Sequence, residues 1–267
     1  MLKFISPIIA AAALSSLSAY AAEPGNPGSE LWSQADQYYD AEDMDASRRA
    51  VLHEGGAQTN WFVQADRFEY RSNGVDPLLL WDAQGWYGTD AHKFWVKTEG
   101  EYDFNADAFE EAELQGLYSK PITSYFDLQA GVRHDFAPGD GRTFGVIGLQ
   151  GLAPYLFELD TALFVSGQGD VSARIEAEYE LLLTQRLILQ PRTELNFAVQ
   201  SVPEYGVGSG LSTAELSARL RYEVKREFAP YIGIDWTRSV GETADFVRAD
   251  GGDPSSVSFV AGLRLWF

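Results

Sequence analysis

Apolar and polar residues alternate one for one along much of this chain, most plainly between Ser172 and Val199. On the outgoing leg Val171, Ala173, Ile175, Ala177, Tyr179 and Leu181 share one parity, while Ser172, Arg174, Glu176, Glu178 and Glu180 share the other. Beyond Thr184-Gln185 the return leg sets Leu187, Leu189, Leu195, Phe197 and Val199 against Gln190, Arg192, Glu194 and Asn196. Successive side chains of a strand point to opposite faces, so a period of two over about ten residues predicts two long strands joined by a tight turn. Strands of soluble proteins run about five or six residues, whereas crossing a bilayer takes about nine to eleven. One apolar face opposite one ionic face is what a membrane barrel turns to lipid and to its lumen.

The same pattern recurs in about twelve segments from Thr59 to the C-terminus. In residues 60–71 the apolar parity changes from Trp61 and Val63 to Phe68 and Tyr70, which predicts a bulge. Residues 142–152 are rich in glycine and do not declare a facing. Short connectors at residues 121–124, 153–154, 184–185 and 227–228 alternate with longer ones at 137–141, 201–210 and 239–256, the asymmetry of periplasmic turns and outer loops. The predicted fold is therefore all-β, a transmembrane antiparallel up-and-down β-barrel of about twelve strands. An even strand number returns both ends of the barrel to the periplasm. Pro191 is in tension with this, because proline removes a ladder hydrogen bond and a closed barrel has no edge strand to absorb the loss.

Upstream of the barrel, residues 1–22 read as a secretory signal: Lys3, an apolar run from Phe4 to Leu17, and a small-residue cleavage site at Ala19-Tyr20-Ala21. Residues 23–58 form a periplasmic extension, with a helix expected over Asp43–Glu54, capped by Asp45 and stopped by Gly55-Gly56. The barrel takes residues 59–267. No apolar run after the signal reaches the roughly 18 residues of a membrane helix. The formal net charge of −19 disfavours nucleic acid as a partner and favours cations. With no cysteine in the chain, thiolate ligands and disulfides are excluded.

The final strand, Phe259, Ala261, Leu263 and Leu265 on one parity ending in Phe267, resembles the assembly signal of bacterial outer-membrane barrels. Longer runs are more specific. Leu181-Leu182-Leu183-Thr184-Gln185-Arg186-Leu187-Ile188-Leu189-Gln190-Pro191-Arg192, the stretch Gly206 to Ser212, Arg219-Leu220-Arg221-Tyr222-Glu223 running on to Gly233, and Asp127 to Arg133 resemble the copper resistance protein B family of outer-membrane proteins. The likeness runs from about Thr59 to the C-terminus, and Pro191 lies inside the family pattern. It implies an outer-membrane barrel that binds copper and takes part in copper tolerance, with a multicopper-oxidase-type periplasmic partner. The chain departs from many members in lacking a Met/His-rich segment before the barrel: residues 23–58 offer only Met44 and His53.

Copper ligands must then come from few residues. Imidazole with carboxylate suits Cu(II), and thioether suits Cu(I). The candidates are Met44 with His53 near the periplasmic mouth, His92 by a turn, and His134 at the outer end of a strand on the lipid-facing parity. A second candidate set is Glu176, Glu178, Glu180 and Glu194, four acids on lumen-facing positions of one hairpin, able to hold a hard cation but without selectivity for copper. The remaining lumen acids are interleaved with Arg133, Arg174, Arg192, Arg219 and Arg221, which reads either as a cation path or as an ion-paired filling. No catalytic role is expected: His134-Asp135 are strand neighbours facing opposite ways, and no nucleophile elbow occurs. The alternative function is a generic cation-preferring porin.

Overall fold

The computed structural model describes residues 35–56, 58–72, 77–139 and 141–267, so the signal segment lies outside the described residues. They fall into two compact units that divide after Gly56. In the first, helix α1 spans Ala41–Val51 and passes into a π-turn over Leu52–Gly56. The helix begins earlier than its sequence pattern suggests. Asp45 is inside it, accepting a hydrogen bond from Arg48 one turn on at 3.3 Å, so it does not cap the helix.

The second unit is a closed antiparallel barrel. Its strands are β1 (Asn60–Ser72), β2 (Pro77–Gly88), β3 (Lys93–Asp103), β4 (Ala108–Pro121), β5 (Phe126–Ala137) and β6 (Arg142–Ala153). Then follow β7 (Phe157–Ser166), β8 (Val171–Glu178), the two-residue β9 (Leu181–Leu182), β10 (Leu187–Ala198), β11 (Gly210–Tyr222), β12 (Phe228–Ser239) and β13 (Ser255–Trp266). Each strand pairs with its sequence neighbours, β13 pairs with β1, and β10 pairs with β11 on one side and with β8 and β9 on the other. Because β8 and β9 lie along one line, the thirteen segments make twelve staves. Closure leaves no bare sheet edge, which hydrocarbon could not solvate.

The interruption between β8 and β9 has a local cause. The ladder with β10 stops at Glu178↔Arg192 and resumes at Leu181↔Leu189. Between them, Pro191 accepts the Tyr179 N–H at 3.1 Å but has no N–H to return. The missing bond falls on the β8 side alone. Toward β11 the register runs unbroken through Pro191↔Ala218.

The bulge expected in β1 is at Asp66: pairing with β2 jumps from Ala65↔Ala83 to Arg67↔Asp82, and that with β13 from Ala65↔Leu265 to Phe68↔Leu263. The extra residue moves Trp61, Val63, Phe68 and Tyr70 all to the outside, where each is exposed. It also turns Arg67, Glu69 and Arg71 inward, and all three are buried. Strand β6 resolves its facing the same way, with Phe144 and Val146 buried and Ile147 outside.

The inner face is not ionic throughout, as the opening hairpin suggests. Trp95, Leu117, Phe144, Val146 and Phe164 form a buried apolar cluster on the inner wall of β3, β4, β6 and β7. The guanidinium of Arg133 is 4.7 Å from the Phe164 ring centre, and that of Arg142 is 4.9 Å from Phe144, so this wall still meets the charged interior through cation–π contacts.

At one end of the barrel the connectors are turns of a few residues; the other end carries two long connectors, residues 199–209 and 240–254, beside others as short as 104–107 and 167–170. The connector from β12 to β13 is not a plain loop, because helix α2 (Gly241–Ala249) forms within it. Helix α2 is fastened to the β10–β11 connector at Gly208, whose N–H donates to Thr243 Oγ1 at 2.8 Å. A Cβ on Gly208 would come within 2.4 Å of the Glu242 Cβ, so only glycine permits this approach.

Candidate functional site: an ion-paired lumen

Inside the barrel nearly every inward-facing charge is matched, and several matches cross the lumen. Arg174 on β8 donates to Glu99 on β3 at 2.9 Å and to Glu113 on β4 at 3.1 Å. In the strand order β3 and β8 stand five staves apart in a ring of twelve, so this guanidinium ties nearly opposite walls together. Lys97 on β3 reaches Asp160 on β7 at 2.5 Å, four staves away. Arg264 on β13 donates to Glu180, which follows β8, at 2.6 Å.

A second knot gathers on β1, β11 and β12. Arg219 grips Glu69 through two bonds of 2.8 and 2.9 Å, the Tyr231 hydroxyl donates to the same carboxylate at 2.9 Å, and Arg71 adds a bond of 2.8 Å. Arg71 also lies within 3.3 to 3.6 Å of Glu101, Glu215 and Asp235. Arg67, 2% exposed, pairs with Asp82 at 3.0 Å and with Glu99. Removing such charges from water costs several kcal/mol per ion, and only this density of pairing offsets it.

The cross-lumen pairs partition the interior. A cavity of about 370 Å³ lies toward the turn end and one of about 460 Å³ toward the loop end. Glu99, Glu113, Arg174 and Phe164 line both, so the bonds joining the three charged residues lie where the two cavities meet.

The four hairpin acids lie in this lumen, each with a partner. Arg192 holds Glu176 and Glu194 at 2.7 Å apiece. Gln190 donates to Glu178, and Arg221 donates to Glu180 at 2.7 Å. Glu176, Glu180 and Glu194 serve as counter-charges to arginines and Glu178 takes its bond from a neutral amide, so the four do not converge on a common point. Among the described residues no three His, Asp or Glu side chains gather in a way that could hold a metal ion.

The soft and nitrogen donors lie elsewhere. His92 sits in the turn before β3, its ring stacked at 5.9 Å on that of Tyr118 and its Nδ1 hydrogen-bonded to the tyrosine hydroxyl. His134, near the loop end of β5, has Nδ1 2.8 Å from Thr143 Oγ1 and packs against the exposed Phe136 ring. These two histidines belong to opposite ends of the barrel. Met44 is on α1, and His53 follows in the π-turn.

Several lumen residues are not evident from the alternation alone. Asp66, Arg67, Glu69 and Arg71 are hidden by the bulge, although Arg67, Glu69 and Arg71 do alternate with Phe68 and Tyr70 once the phase is reset. Asp235 and Arg264 stand in mostly apolar strands, where one or two charges carry no period.

The family described as copper resistance protein B precursor (CopB) matches residues 59–267, the whole barrel. The chain belongs to the copper resistance protein B family. A copper resistance protein B homolog of Pseudomonas syringae pv. tomato is 44% identical over 230 residues, covering 84% of this chain and 77% of that one. Copper resistance protein B of Escherichia coli is 43% identical over 208 residues, covering 78% and 70% respectively. Among solved structures the NanC porin, 14% identical, superposes with a TM-score of 0.51 over 77% of this chain and 99% of its own. That likeness is one of fold alone, a closed antiparallel barrel.

Proposed function

We propose that this protein contributes to copper resistance at the outer membrane by binding copper as cargo and restricting its passage, rather than by offering an open pore. Two relatives that cover most of the chain are copper resistance proteins by name. The observation that carries the restriction is the Arg174 bridge from β8 to Glu99 and Glu113, which crosses the lumen between its two chambers. A generic cation-preferring porin would need that path open.

The chemistry of the donors sets where copper would be held. The barrel contains no Met and no Cys, and its two histidines, His92 and His134, engage outward-facing partners. Lumen carboxylates are hard ligands largely committed to guanidinium groups, and they offer the soft Cu(I) ion no suitable donor. Selective capture therefore falls to the extension, where Met44 offers a thioether and His53 an imidazole, with His134 as a further site at the loop-end rim. From Met44 the helix runs seven residues on to Val51, an advance of about 10 Å before the π-turn that carries His53, so the two act as separate donors rather than one chelate. In this reading a periplasmic multicopper oxidase receives or supplies the bound metal.

Titration of the purified mature protein with Cu²⁺, Cu⁺ under reducing conditions and Zn²⁺ tests this. Met44→Leu should weaken Cu⁺ selectively, and His53→Gln should weaken Cu²⁺. Equal weak binding of all three ions, indifferent to Met44, His53 and His134, would remove the molecular basis of the copper reading. A deletion strain complemented with these variants should show copper sensitivity in the same order.

A further inference from the structure

The turn end of the barrel is not uniform around its rim. Three turns that follow one another in the ring, β4–β5, β6–β7 and β9–β10, carry apolar side chains at their tips. Ile122 and Tyr125, Tyr155 and Leu156, and Leu182 and Leu183 are each more than half exposed. Residues 120–126, 153–157 and 181–187 contain Lys120 and Arg186 but no Asp or Glu, in a chain whose net charge is −19. The other turns at this end differ: residues 89–92 carry Asp90, and residues 223–227 carry Glu223 and Glu227.

The backbone holds these tips outward without help from water. Tyr155 and Leu156 have φ of 67° and 66°, the left-handed region that L residues avoid, and Tyr155 is 87% exposed. Strain of this kind clusters at segments that bind something. The flanking turns share one construction. Thr123 Oγ1 accepts the N–H groups of Tyr125 and Phe126 at 3.2 and 3.0 Å, and Thr184 Oγ1 accepts those of Arg186 and Leu187 at 3.2 and 2.9 Å. The N–H groups of Ile122 and Thr123 go to the Phe126 carbonyl, and those of Leu183 and Thr184 to the Leu187 carbonyl. Donors satisfied inside the turn can leave water at small cost.

Continuity and charge indicate what lies outside. Leu181, paired with Leu189, prolongs the lipid-facing row of β10 toward Leu183, and Tyr125 leads into Phe126 and Leu128 on β5. The apolar arc is thus continuous with the belt that faces hydrocarbon. A cation stands at each end of it. Lys120 lies across from the exposed Leu128 and beside the buried Ser119, so it faces outward. Arg186 is exposed as well, and Glu223, whose N–H donates to the Arg186 carbonyl at 2.8 Å, turns its carboxylate to Arg221 at 3.8 Å. Neither Lys120 nor Arg186 has an ion-pair partner among the described residues. Long basic side chains at the edge of an apolar belt reach for headgroup oxygens and are drawn to anionic lipid.

We propose that the rim from β4 to β10 is a docking edge for anionic phospholipid in the leaflet at the turn end, with Lys120 and Arg186 on the phosphates and the apolar tips between them among the acyl chains. This side of the barrel then sits deeper than the side of the β2–β3 and β11–β12 turns. None of these residues is a proposed copper donor, so the inference stands apart from the copper reading.

The delipidated mature protein in detergent, titrated with phosphatidylglycerol and with phosphatidylcholine of the same chains and read by native mass spectrometry, tests it. Phosphatidylglycerol should bind at least about tenfold tighter. Lys120→Gln with Arg186→Gln should abolish that preference, whereas Lys225→Gln with Arg226→Gln, in an acid-bearing turn, should leave it. Equal affinity for the two lipids, or equal loss in both double variants, would overturn the assignment. Folding of each variant is checked by its heat-dependent electrophoretic shift; should Lys120→Gln with Arg186→Gln fail it, the two lipids on the wild-type protein decide the matter. Depth gives a second readout, since the chain has no cysteine of its own. In vesicles containing phosphatidylglycerol, a nitroxide attached at Leu156→Cys should collide with oxygen in preference to an aqueous nickel chelate, and one at Ala91→Cys should do the reverse. A water-exposed label at position 156 would assign the arc to a polypeptide partner and overturn the lipid reading.

Discussion

Glu69 shows at the level of one residue how a barrel interior tolerates charge. It is 1% exposed and receives two arginines and a tyrosine hydroxyl. Tyr231 reaches it by lying across Gly262, where any Cβ would come within 2.6 Å of the phenol. Removing the charge of a buried ion pair while leaving its partners in place costs about 3–5 kcal/mol, and deleting one hydrogen bond to a charged group costs about 1.5–3 kcal/mol. Glu69→Gln should therefore destabilise the barrel more than Tyr231→Phe, both measured as urea unfolding in lipid vesicles by tryptophan fluorescence. The reverse order would mean that the phenol, not the guanidinium pairing, holds this knot. Such partners were not legible beforehand. Alternation tells which face Glu176 or Arg192 occupies, but the choice of mate across the lumen depends on stagger and closure, which no period in the chain encodes.

At the scale of the element, Pro191 separates two effects of similar size. Replacing it by alanine supplies the donor that Tyr179 lacks, a gain of about 0.5–1.5 kcal/mol, and loosens the unfolded chain at a cost of about 0.4–1 kcal/mol. Pro191→Ala should thus change stability by less than about 1 kcal/mol. It should also yield a newly protected amide at position 191 in hydrogen exchange. An unprotected amide there would show that the gap between β8 and β9 has some other origin. Strand positions were largely readable from parity, because a lipid-facing row of apolar side chains must keep step with the pleat. Parity blurred where both faces are apolar, as at Phe94-Trp95-Val96, and that is where the inner apolar wall escaped notice. Helix α2 was unreadable for another reason: its place is fixed by contact with Gly208, remote in sequence.

For the molecule as a whole, the cross-lumen ties make a prediction about current. In planar bilayers the wild-type barrel should conduct far less than an open barrel of twelve strands. The double substitution Arg174→Ala with Lys97→Ala removes two cross-lumen ties and should raise unit conductance several-fold, with the acidic lining selecting cations. Unchanged conductance in the double variant would show that the obstruction lies elsewhere. The candidate site was half visible: the inward acids and arginines were evident one strand at a time, whereas the two chambers exist only once the ring is closed.

Those same ties bear on how the protein enters its membrane. Glu69 is bound by Arg219 and Tyr231, partners 150 and 162 residues further along the chain, and Arg174 by Glu99, 75 residues before it. A sheet inserted hairpin by hairpin would carry bare carboxylates and guanidiniums into hydrocarbon long before their mates arrived. The early strands gain full electrostatic relief only when the last ones dock, so assembly is driven toward a single concerted closure and half-built rings are selected against.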